Sequence, residues 1–521
     1  MNYVMKIALI SLLSAALFAE DILPLSVRVG ETTVIKRADP ALLGFGTSLI
    51  GGWFLLTPGT TEIRTKVYAA LKDFPTPLIR LEGTMSQVWN WKKAVGPLES
   101  RPEHRIEPWE RPGTKRAFGP VEWVTFAKRL NPGVKLVWDI NMRESAEDAA
   151  DLAEFLCGDG QSNPNGGVNW AQKRIECGLA EPVEIFVWEL GNELDGSEFW
   201  KEFDTIRKYT DKCKAVIHAI KGVLPNARFA PFAATLNQGF DFYKRVYGGT
   251  WEIWHRTVLR DLVAEMDSID YVMLHPYFGG VGTLYQKTWD MDIIPAIAAD
   301  IREITGSDRI KIFLSEYAFW PPYEDPAEKW DAFFYKSHAL VGCLQNAEWL
   351  NRMLARKEVS IAALHNLGGT FTSPWGIIYP DRRDYGSDPE YYLTGIAPMM
   401  RMFNSMLANN GNSVRVELEG EQTDKTSRRC LVTAAAVALD ESIFLSLVNR
   451  DPDVARNVAF SAEKTYALSS ETILTADDID AYNTMTNRPL KSVIHRANDI
   501  KPFSNYLLGA RSFVVLHLVK K

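Results

Sequence analysis

The sequence is poor in cysteine and lacks the patterns that mark several common functional classes. Its five cysteines, spread over 521 residues, are too few for a disulfide scaffold and too scattered for a metal cage. No HExxH zinc motif occurs and the eight histidines are dispersed. No GxSxG motif of the esterase type is present either. The sequence therefore predicts that the protein uses no metal and no cofactor.

Long basic stretches and long apolar runs are also missing from the body of the chain. The formal net charge is -7, with 58 basic and 65 acidic residues and no basic stripe, so nucleic acid is not an expected partner. The one marked apolar run follows Lys6, from Ile7 to Phe18, and ends among small residues. This pattern predicts a signal peptide over residues 1–19 and a secreted, extracellular or periplasmic protein with no membrane span.

Two of the cysteines, Cys157 and Cys177, flank a segment rich in glycine and asparagine, GDGQSNPNGG and its continuation. In an oxidising compartment they can form a disulfide that closes this loop. The alternative is two separate thiols, and the sequence leaves both open.

Short runs rich in β-branched and aromatic residues alternate with helical patterns, which predicts a parallel sheet built from βα units. The eight predicted strands are Leu42–Leu49, Pro77–Gly83, Lys135–Asn141, Val183–Glu193, Ala227–Ala234, Ile269–Phe278, Lys311–Tyr317 and Ser360–Gly368. Eight strands favour a closed (β/α)8 TIM barrel. Between the fourth and fifth strands, Glu198–Leu224 has the apolar period of a helix that packs Cys213 into the core.

Beyond Asn409 the pattern changes to short strands separated by turn residues, such as SVRVELEG and SIFLSLVNR, which is typical of a β-sandwich. The segment Leu25–Lys36 has the same alternating character and is expected to complete that sandwich. The predicted organisation is therefore a segment 20–40 that joins the sandwich, a catalytic barrel over 41–405, and an accessory C-terminal β-sandwich over 406–521.

Two predicted strands end in glutamates, Glu193 in VWELGNELDG and Glu316 in IFLSEYAFW. The C-terminal ends of barrel strands face the mouth where active sites lie, so strands four and seven can bring these side chains together. Hydrolysis of a glycosidic bond requires two carboxyl groups, one to protonate the leaving oxygen and one to attack the anomeric carbon. Either glutamate alone would more commonly cap a helix or join an ion pair. As a matched pair they predict a glycosidase, while Glu189 is expected to be a buried hydrogen-bond partner.

The motif Gly191-Asn192-Glu193, the later Glu316 and the barrel-plus-sandwich layout resemble clan A glycoside hydrolases, above all the family 51 α-L-arabinofuranosidases. EPVEIFVWELGNELDG is the most specific stretch, and MLHPYF, LSEYAFW and FLSLVNRD follow in the expected order. The resemblance implies a retaining enzyme acting on plant-type polysaccharide or oligosaccharide, with Glu193 as general acid/base and Glu316 as nucleophile.

The resemblance also implies roles for further residues. Asn192 would bind the sugar 2-hydroxyl, and His275 and Tyr277 would support the nucleophile or the substrate. Asn141 and Trp320 would line the sugar subsite, and Arg80 leads a substrate-binding segment. The alternatives are a turn at Asn141, a core histidine at His275 and simple packing at Trp320.

The sequence departs from the family pattern in the segments that bind the substrate sugar. The loop after strand one, GFGTSLIGG, lacks the glutamate that the family uses to bind arabinofuranose. The usual proline-glycine-glycine after Arg80 is replaced by Leu81-Glu82-Gly83, in which Glu82 either reaches the sugar in compensation or forms a salt bridge. These changes leave open an endo-glucanase, a β-xylosidase or a glucuronidase of the same clan. A carbohydrate-binding protein without catalysis is a further alternative, but the presence of both glutamates argues against it.

Overall fold

The computed structural model describes residues 22–47, 55–81, 83–106, 110–194, 201–234, 252–278, 293–321, 334–368, 376–382, 388–420, 423, 430–497 and 501–521. The predicted signal peptide and Glu82 lie outside these residues. Among the described helices, none combines the length and the apolar composition needed to cross a bilayer.

Eight parallel strands close into a barrel, as the sequence predicted. The first strand of the chain, β1 (Ile22–Arg37), is not one of them. The barrel strands are β2 (Gly44–Thr47), β3 (Leu78–Leu81), β4 (Lys135–Asp139), β5 (Val187–Leu190), β6 (Phe229–Ala234), β7 (Tyr271–Leu274), β9 (Lys311–Phe319) and β10 (Val359–Leu364). β10 pairs with both β9 and β2, which closes the ring. The short strand β8 (Tyr277–Phe278) extends the pairing along the end of β9.

The helices of the barrel follow the strands. They are α1 (Thr65–Ala70), α2 (Pro120–Leu130), α3 (Ala146–Cys157), α4 (Trp170–Glu176), α5 (Ile206–Val223), α6 (Glu252–Asp261), α7 (Ile293–Thr305), α8 (Leu340–Leu354) and α9 (Ile396–Leu407). Short 3-10 turns span Pro40–Leu43, Thr84–Val88, Trp91–Ala94, Leu98–Ser100, Lys201–Phe203, Val263–Ser268 and Phe334–Ser337. Helix α5 begins later than the predicted Glu198, because Thr205 caps it by accepting from the Lys208 N–H. Cys213 is fully buried on its apolar face.

A second, nine-stranded sheet contains β1 and the C-terminal strands β13 (Asn412–Glu419), β14 (Val432–Ala438), β15 (Ser442–Asn449), β16 (Ala455–Ala462), β17 (Tyr466–Thr475), β18 (Val493–Arg496), β19 (Asn505–Leu508) and β20 (Ser512–Lys520). β1 lies between β13, with which it is antiparallel, and β16, with which it is parallel. A small hairpin of β11 (Ile378–Pro380) and β12 (Tyr391–Leu393) is separate.

One curled sheet supplies both layers of the predicted sandwich. Val458 and Leu508, near one end of the strand order, share an apolar cluster with Tyr466 and Leu516 near the other end. The two ends also meet through the backbone, where the Phe503 N–H donates to the Tyr466 carbonyl at 2.8 Å. The sheet therefore curls around its own core. The domain boundaries at residues 40 and 405 stay predictions.

Candidate active site

The two predicted glutamates lie side by side at the C-terminal end of the barrel. One carboxylate oxygen of Glu193, one of Glu316 and a ring nitrogen of His275 all lie within 4.8 Å of one another. Neither glutamate ends its strand as predicted. Glu193 lies three residues beyond β5, while Glu316 lies inside β9, just after Leu314, the last residue paired with β7. The two carboxyl groups therefore meet although one lies beyond its strand and the other lies within its strand.

Both oxygens of Glu316 are held by hydrogen bonds. Arg80 Nη1 donates to Oε1 at 2.6 Å, and the Tyr277 hydroxyl donates to Oε2 at 2.6 Å. Nδ1 of His275 and of His365 lie 3.8 and 3.7 Å from Oε2. Burial alone would raise the pKa of Glu316, but His275, His365 and Arg80, with the Tyr277 hydrogen bond, hold it well below its usual range. Glu316 is thus an ionised carboxylate at neutral pH.

Glu193 has a different environment from Glu316. Its side chain is 19% exposed, against 6% for Glu316. Its Oε1 lies 2.9 Å from His275 Nδ1, and the other ring nitrogen of His275 lies 2.9 Å from the Ser315 hydroxyl. The backbone of Glu193 has φ 49°, in the left-handed region, so it leaves the extended path of β5. Glu193 is therefore the carboxyl group of the pair that solvent or a ligand can reach.

Arg80, on β3, connects the carboxylates of the site. Its Nε lies 2.9 and 2.8 Å from the two oxygens of Glu189, and its Nη2 donates to Asn192 Oδ1 at 2.7 Å. Burial would lower the pKa of Arg80, but the charges of Glu189, Glu316 and Asp139 raise it above its usual value. The guanidinium is thus permanently charged and fully buried. Glu189 is the buried hydrogen-bond partner that the sequence predicted.

Asp139, at the end of β4, completes the buried cluster. It accepts from the Ser86 hydroxyl at 2.6 Å and from Gln87 Nε2 at 3.1 Å, and lies 3.7 Å from Arg80 Nη2. Burial and the neighbouring charge of Glu189 raise the pKa of Asp139 well above its usual value, and burial also raises the pKa of Glu189. One cation therefore faces three carboxyl groups, of which Glu316 is the one whose pKa is lowered.

The structure brings most of the predicted site residues together. Asn192, His275, Tyr277 and Arg80 contact the glutamates or one another as described above. Trp320 packs edge-on against Tyr277 with ring centroids 5.7 Å apart. These residues form a single cluster around Glu316.

Asn141 makes local contacts instead. Its Oδ1 accepts from the Arg143 N–H at 3.0 Å and its Nδ2 donates to the Trp89 carbonyl at 3.1 Å, which is the turn that the sequence analysis gave as an alternative. Its role in the sugar subsite stays a prediction. Glu82 lies outside the described residues, so its two alternatives also stay predictions.

His365, Ser315 and Gly83 belong to the site but were not predicted. His365 directly follows β10, and this position at the end of the eighth strand was a signal that could have identified it. Ser315 precedes Glu316 and faces His275. A Cβ at Gly83 would lie 3.0 Å from Glu316 Oε1, so the chain after β3 passes directly beside that carboxylate. The closeness of Gly83 to Glu316 arises from closure of the barrel and cannot be predicted from sequence patterns.

Of the two alternatives that the sequence left open for Cys157 and Cys177, the structure has two separate free thiols and no disulfide between them. Cys157 ends α3 and is packed against the barrel core, and burial raises the pKa of its thiol to about 12. The glycine- and asparagine-rich loop between the two cysteines is held by other contacts, such as Asn169 Oδ1 accepting from the Gln172 N–H at 2.8 Å.

Glu193, His275 and Glu316 are the residues of the described chain whose donor atoms are arranged to hold a metal ion. A cation there would compete with Arg80 and Tyr277, which already bind the two oxygens of Glu316. Two carboxyl groups placed this close together can also act from both sides on a single glycosidic bond. That no metal or cofactor is required stays a prediction.

A family model described as "Alpha-L-arabinofuranosidase 1 domain" matches residues 71–239, which include Arg80 and Glu193. A curated relative from Bacillus subtilis strain 168, named intracellular exo-α-(1→5)-L-arabinofuranosidase 1, is 24% identical over 85% of this chain and 84% of its own length. An exo-α-(1→6)-L-arabinofuranosidase from Bifidobacterium longum is 23% identical over 82% of this chain and 81% of its own length. Each alignment covers most of both chains.

The prediction of a secreted, extracellular or periplasmic protein is contradicted by these relatives. Five of the matched curated proteins are named intracellular arabinofuranosidases. The apolar run that led to the prediction is about a dozen residues long, a length that buried segments share with signal peptides. The composition of this run alone therefore could not distinguish a signal peptide from a buried segment.

A solved family 51 arabinofuranosidase from Xanthomonas axonopodis pv. citri has the same fold, with a TM-score of 0.74 and 18% identity, covering 95% of this chain and 100% of the other. The likeness extends through the barrel and the C-terminal sheet. Together with the curated relatives and the paired glutamates, this likeness shows that the chain is similar to clan A glycoside hydrolases of the family 51, α-L-arabinofuranosidase-like type, and that it is a retaining glycosidase.

Proposed function

We propose that the chain is an α-L-arabinofuranosidase acting on plant-type polysaccharide or oligosaccharide, with Glu316 as nucleophile and Glu193 as general acid/base. The observation that carries the proposal is the pairing of two unlike glutamates whose nearest donor oxygens lie within 4.8 Å. A retaining enzyme needs carboxyl groups about 5 to 5.5 Å apart, whereas inversion needs about 6.5 to 9.5 Å. The short separation supports double displacement.

Glu316 has the properties of the nucleophile. Its low pKa keeps it ionised, and Arg80 and Tyr277 fix both oxygens, so little reorganisation precedes attack. In the first step a Glu316 oxygen forms a bond to the anomeric carbon as the bond from that carbon to the leaving oxygen breaks. The product of this step is a covalent glycosyl-enzyme.

Glu193 has the position and the access that the acid/base needs. In the first step its proton passes to the leaving oxygen. In the second step it takes a proton from water, whose oxygen bonds to the anomeric carbon and releases Glu316. His275 Nδ1, 2.9 Å from Glu193 Oε1, fixes the carboxyl group for both transfers. The partial exposure of Glu193 is consistent with contact to water and to the leaving group.

The arabinofuranoside assignment rests on the relatives, several of which are named arabinofuranosidases. Asn192 supports it through its position next to Glu193, where its Oδ1 is bound by Arg80 and its Nδ2 lies 3.3 Å from Thr84 Oγ1. Trp320, packed on Tyr277, supplies an aromatic wall for the sugar.

The test compares Glu193→Ala and Glu316→Ala on an arabino-oligosaccharide and on an aryl α-L-arabinofuranoside with an acidic phenol. Glu193→Ala should lose about 10²- to 10⁴-fold in kcat/KM on the oligosaccharide, because its leaving group needs a proton. On the aryl substrate the glycosyl-enzyme should still form, and azide should accelerate turnover because it attacks without a general base.

Glu316→Ala should lose activity on both substrates, since the atom that forms the intermediate is gone. The reverse pattern in the two variants would overturn the assignment of roles. Wild-type protein that cleaves aryl β-D-xyloside or β-D-glucuronide but not the arabinofuranoside would overturn the proposed arabinofuranoside specificity.

A further inference from the structure

The hydroxyl of Ser86 connects strand β4 to the turn that follows β3. Its Oγ lies 2.6 Å from Oδ2 of Asp139, at the end of β4, and 2.7 Å from the carbonyl oxygen of Gly83. Ser86 and Asp139 are both buried. Two oxygens this close repel each other unless a proton lies between them, and both separations are typical of O–H···O hydrogen bonds. Each contact therefore requires a proton.

The hydroxyl of Ser86 carries one proton, whereas a carbonyl and an ionised carboxylate can only accept. Thr210 shows the arrangement in which one hydroxyl proton serves two acceptors. Its Oγ1 lies 2.8 Å from Asp261 Oδ2 and 3.2 Å from the Arg207 carbonyl oxygen, so one of the two contacts is long. Both contacts of Ser86 are short, which requires a second proton.

The amide of Gln87 does not supply this second proton. Its Oε1 accepts from the Met142 N–H at 3.0 Å, so Nε2 is the amide atom that faces the carboxyl group. Nε2 has two protons and three acceptors, namely the Ile140 carbonyl and Ser86 Oγ at 2.8 Å and Asp139 Oδ1 at 3.1 Å. These protons point away from Nε2 toward each acceptor, so none of them lies between Ser86 Oγ and Asp139 Oδ2.

The surrounding charges also favour a proton on Asp139. Nη2 of Arg80 lies 3.7 Å from Asp139 Oδ2, too far for a hydrogen bond, and the guanidinium donates to Glu189 and Glu316 instead. Burial and the charges of Glu189 and Glu316 raise the pKa of Asp139 well above its usual value. The charge of Arg80 opposes this shift without cancelling it.

The turn that Ser86 holds lies directly beside the nucleophile. A Cβ at Gly83 would lie 3.0 Å from Glu316 Oε1, and the backbone of Gly83 has φ 132°. The Gly83 carbonyl accepts from the Ser86 N–H at 2.9 Å as well as contacting the Ser86 hydroxyl. A shift of this turn would therefore move backbone atoms against the carboxylate of Glu316.

We propose that Asp139 is a protonated carboxylic acid and a positioning residue for the nucleophile. Its Oδ2–H donates to Ser86 Oγ, and the Ser86 hydroxyl donates to the Gly83 carbonyl, so both short contacts are hydrogen bonds. This chain fixes the turn after β3 beside Glu316, and Asp139 keeps its proton through both steps of the reaction. The inference rests on the proposed function, in which Glu316 is the nucleophile.

Infrared difference spectroscopy at neutral pH tests for the proton without any substrate. The comparison of wild type with Asp139→Asn should show the loss of one carboxylic-acid C=O band, which ionised carboxylates lack and which shifts in D2O. Ser86→Ala should shift this band without removing it, because the acid loses its acceptor. Asp261→Asn is the matched control and should keep the band, since Asp261 also contacts a hydroxyl. A spectrum that loses no acid band in Asp139→Asn would overturn the proposal.

Kinetics on an aryl α-L-arabinofuranoside test the positioning role. Asp139→Ala and Ser86→Ala should each lower kcat by about 10- to 100-fold with little change in KM, because a displaced nucleophile slows the chemical step. The amide of Asp139→Asn donates to Ser86 as the acid does, so this variant should be about fivefold or more faster than Asp139→Ala, the effect of one hydrogen bond. The double variant Asp139→Ala with Ser86→Ala should lie within about twofold of the slower single variant.

An Asp139→Asn variant as slow as Asp139→Ala would overturn the proposal, because it would show that an ionised carboxylate is required. Losses that multiply in the double variant would overturn it too, because Asp139 would then not act through Ser86. Circular dichroism reports the fold of each variant, and should Asp139→Ala fail to fold, the infrared spectra of wild type and Asp139→Asn still decide. Wild-type protein that cleaves no arabinofuranoside would overturn the proposed function, and the spectra would then decide the proton on Asp139 separately.

Discussion

At the scale of single residues, the site shifts the pKa values of three chemically similar carboxyl groups in different directions. Arg80 lies among Asp139, Glu189 and Glu316, but only Glu316 also has two histidines and a tyrosine hydroxyl near its oxygens. The pKa of Asp139 and of Glu189 is raised by burial, and that of Glu316 is lowered by its neighbours. Separating pKa values within one cluster is how a protein divides roles among like groups.

Tyr277 is the neighbour whose effect on Glu316 can be isolated. Its hydroxyl stabilises the ionised carboxylate, so Tyr277→Phe should raise the pKa of Glu316 and shift the acidic limb of kcat/KM toward higher pH. The measurement is kcat/KM from about pH 3 to 8 on an aryl arabinofuranoside with a good leaving group. An acidic limb at the same pH as in wild type would contradict it.

The same shift has a consequence for stability. A carboxyl group whose pKa is depressed in the folded protein stabilises the fold above its unfolded pKa of about 4.3, and this contribution is lost as the pH falls through the folded value. The loss of unfolding free energy in Tyr277→Phe should therefore be larger at pH 6 than at pH 3. This comparison separates the effect on Glu316 from the loss of packing, which does not depend on pH.

At the scale of elements, the sequence predicted all eight barrel strands but not where they end. The fourth strand shows why. It was predicted over Val183–Glu193 and spans Val187–Leu190, because the backbone turns at Gly191, with φ 87°, and at Glu193, with φ 49°. Alternating apolar residues predict which side of a strand is buried, but the chain leaves the strand through backbone angles that this pattern does not encode.

The candidate site was predictable to the extent that it lies on strand ends. Glu193 and His275 each follow a recognisable strand, and Glu316 lies within the C-terminal half of another. The contact of Arg80 with both Glu189 and Glu316 could not be predicted, because it depends on closure of the barrel across strands far apart in sequence. His365 was missed for the same reason, since its distance to Glu316 is set by the pairing of β10 with β9.

In the loop after β3, the close approach of Gly83 to Glu316 can be tested by substitution. Gly83 has φ 132°, and an added Cβ would lie 3.0 Å from Glu316 Oε1. Gly83→Ala should therefore destabilise the protein by about 1 to 3 kcal/mol through backbone strain. It should also lower kcat/KM by about tenfold or more, because displacing a reacting group by even 1 Å is costly.

Gly178 supplies the matched control for this prediction. It has a comparable φ of 91°, but nothing lies within 4 Å of the position that a Cβ would occupy. Gly178→Ala should lose stability in a similar range and keep wild-type kcat/KM. Equal losses of activity in the two variants would show that backbone strain, not contact with Glu316, is the cause.

At the scale of the whole molecule, the barrel and the curled sheet are joined at both ends of the barrel sequence. β1 precedes the barrel yet lies inside the sheet, between β13 and β16. Helix α8 of the barrel packs on the sheet, where Ser446 Oγ donates to Asn351 Oδ1 at 2.6 Å and Ser413 Oγ donates to the Leu354 carbonyl at 2.7 Å. Neither part can unfold without exposing apolar and polar surface of the other.

This arrangement predicts a single unfolding transition, sensitive to one ion pair between the two parts. Glu348 of α8 is fully buried, and its Oε2 lies 2.5 Å from Nε of Arg450, which follows β15. Arg352, on the same helix and partly exposed, lies 2.9 Å from Oε1. Arg450→Met would leave the buried carboxylate with less compensation, which should cost about 3 kcal/mol. The exposed pair of Lys520 and Glu441 is the control, and Lys520→Met should cost less than about 1 kcal/mol.

The measurement is urea unfolding followed both by catalytic activity, which reports the barrel, and by circular dichroism, which reports the whole chain. The two probes should give the same midpoint in wild type, and Arg450→Met should shift both midpoints together because the interface stabilises both parts. Glu348→Met combined with Arg450→Met should recover part of the loss, since the variant with both substitutions no longer buries an unpaired charge between helix and sheet. Activity lost at a lower urea concentration than the circular dichroism signal would mean that the barrel unfolds on its own. An Arg450→Met variant no less stable than Lys520→Met would mean that the buried pair does not couple the two parts.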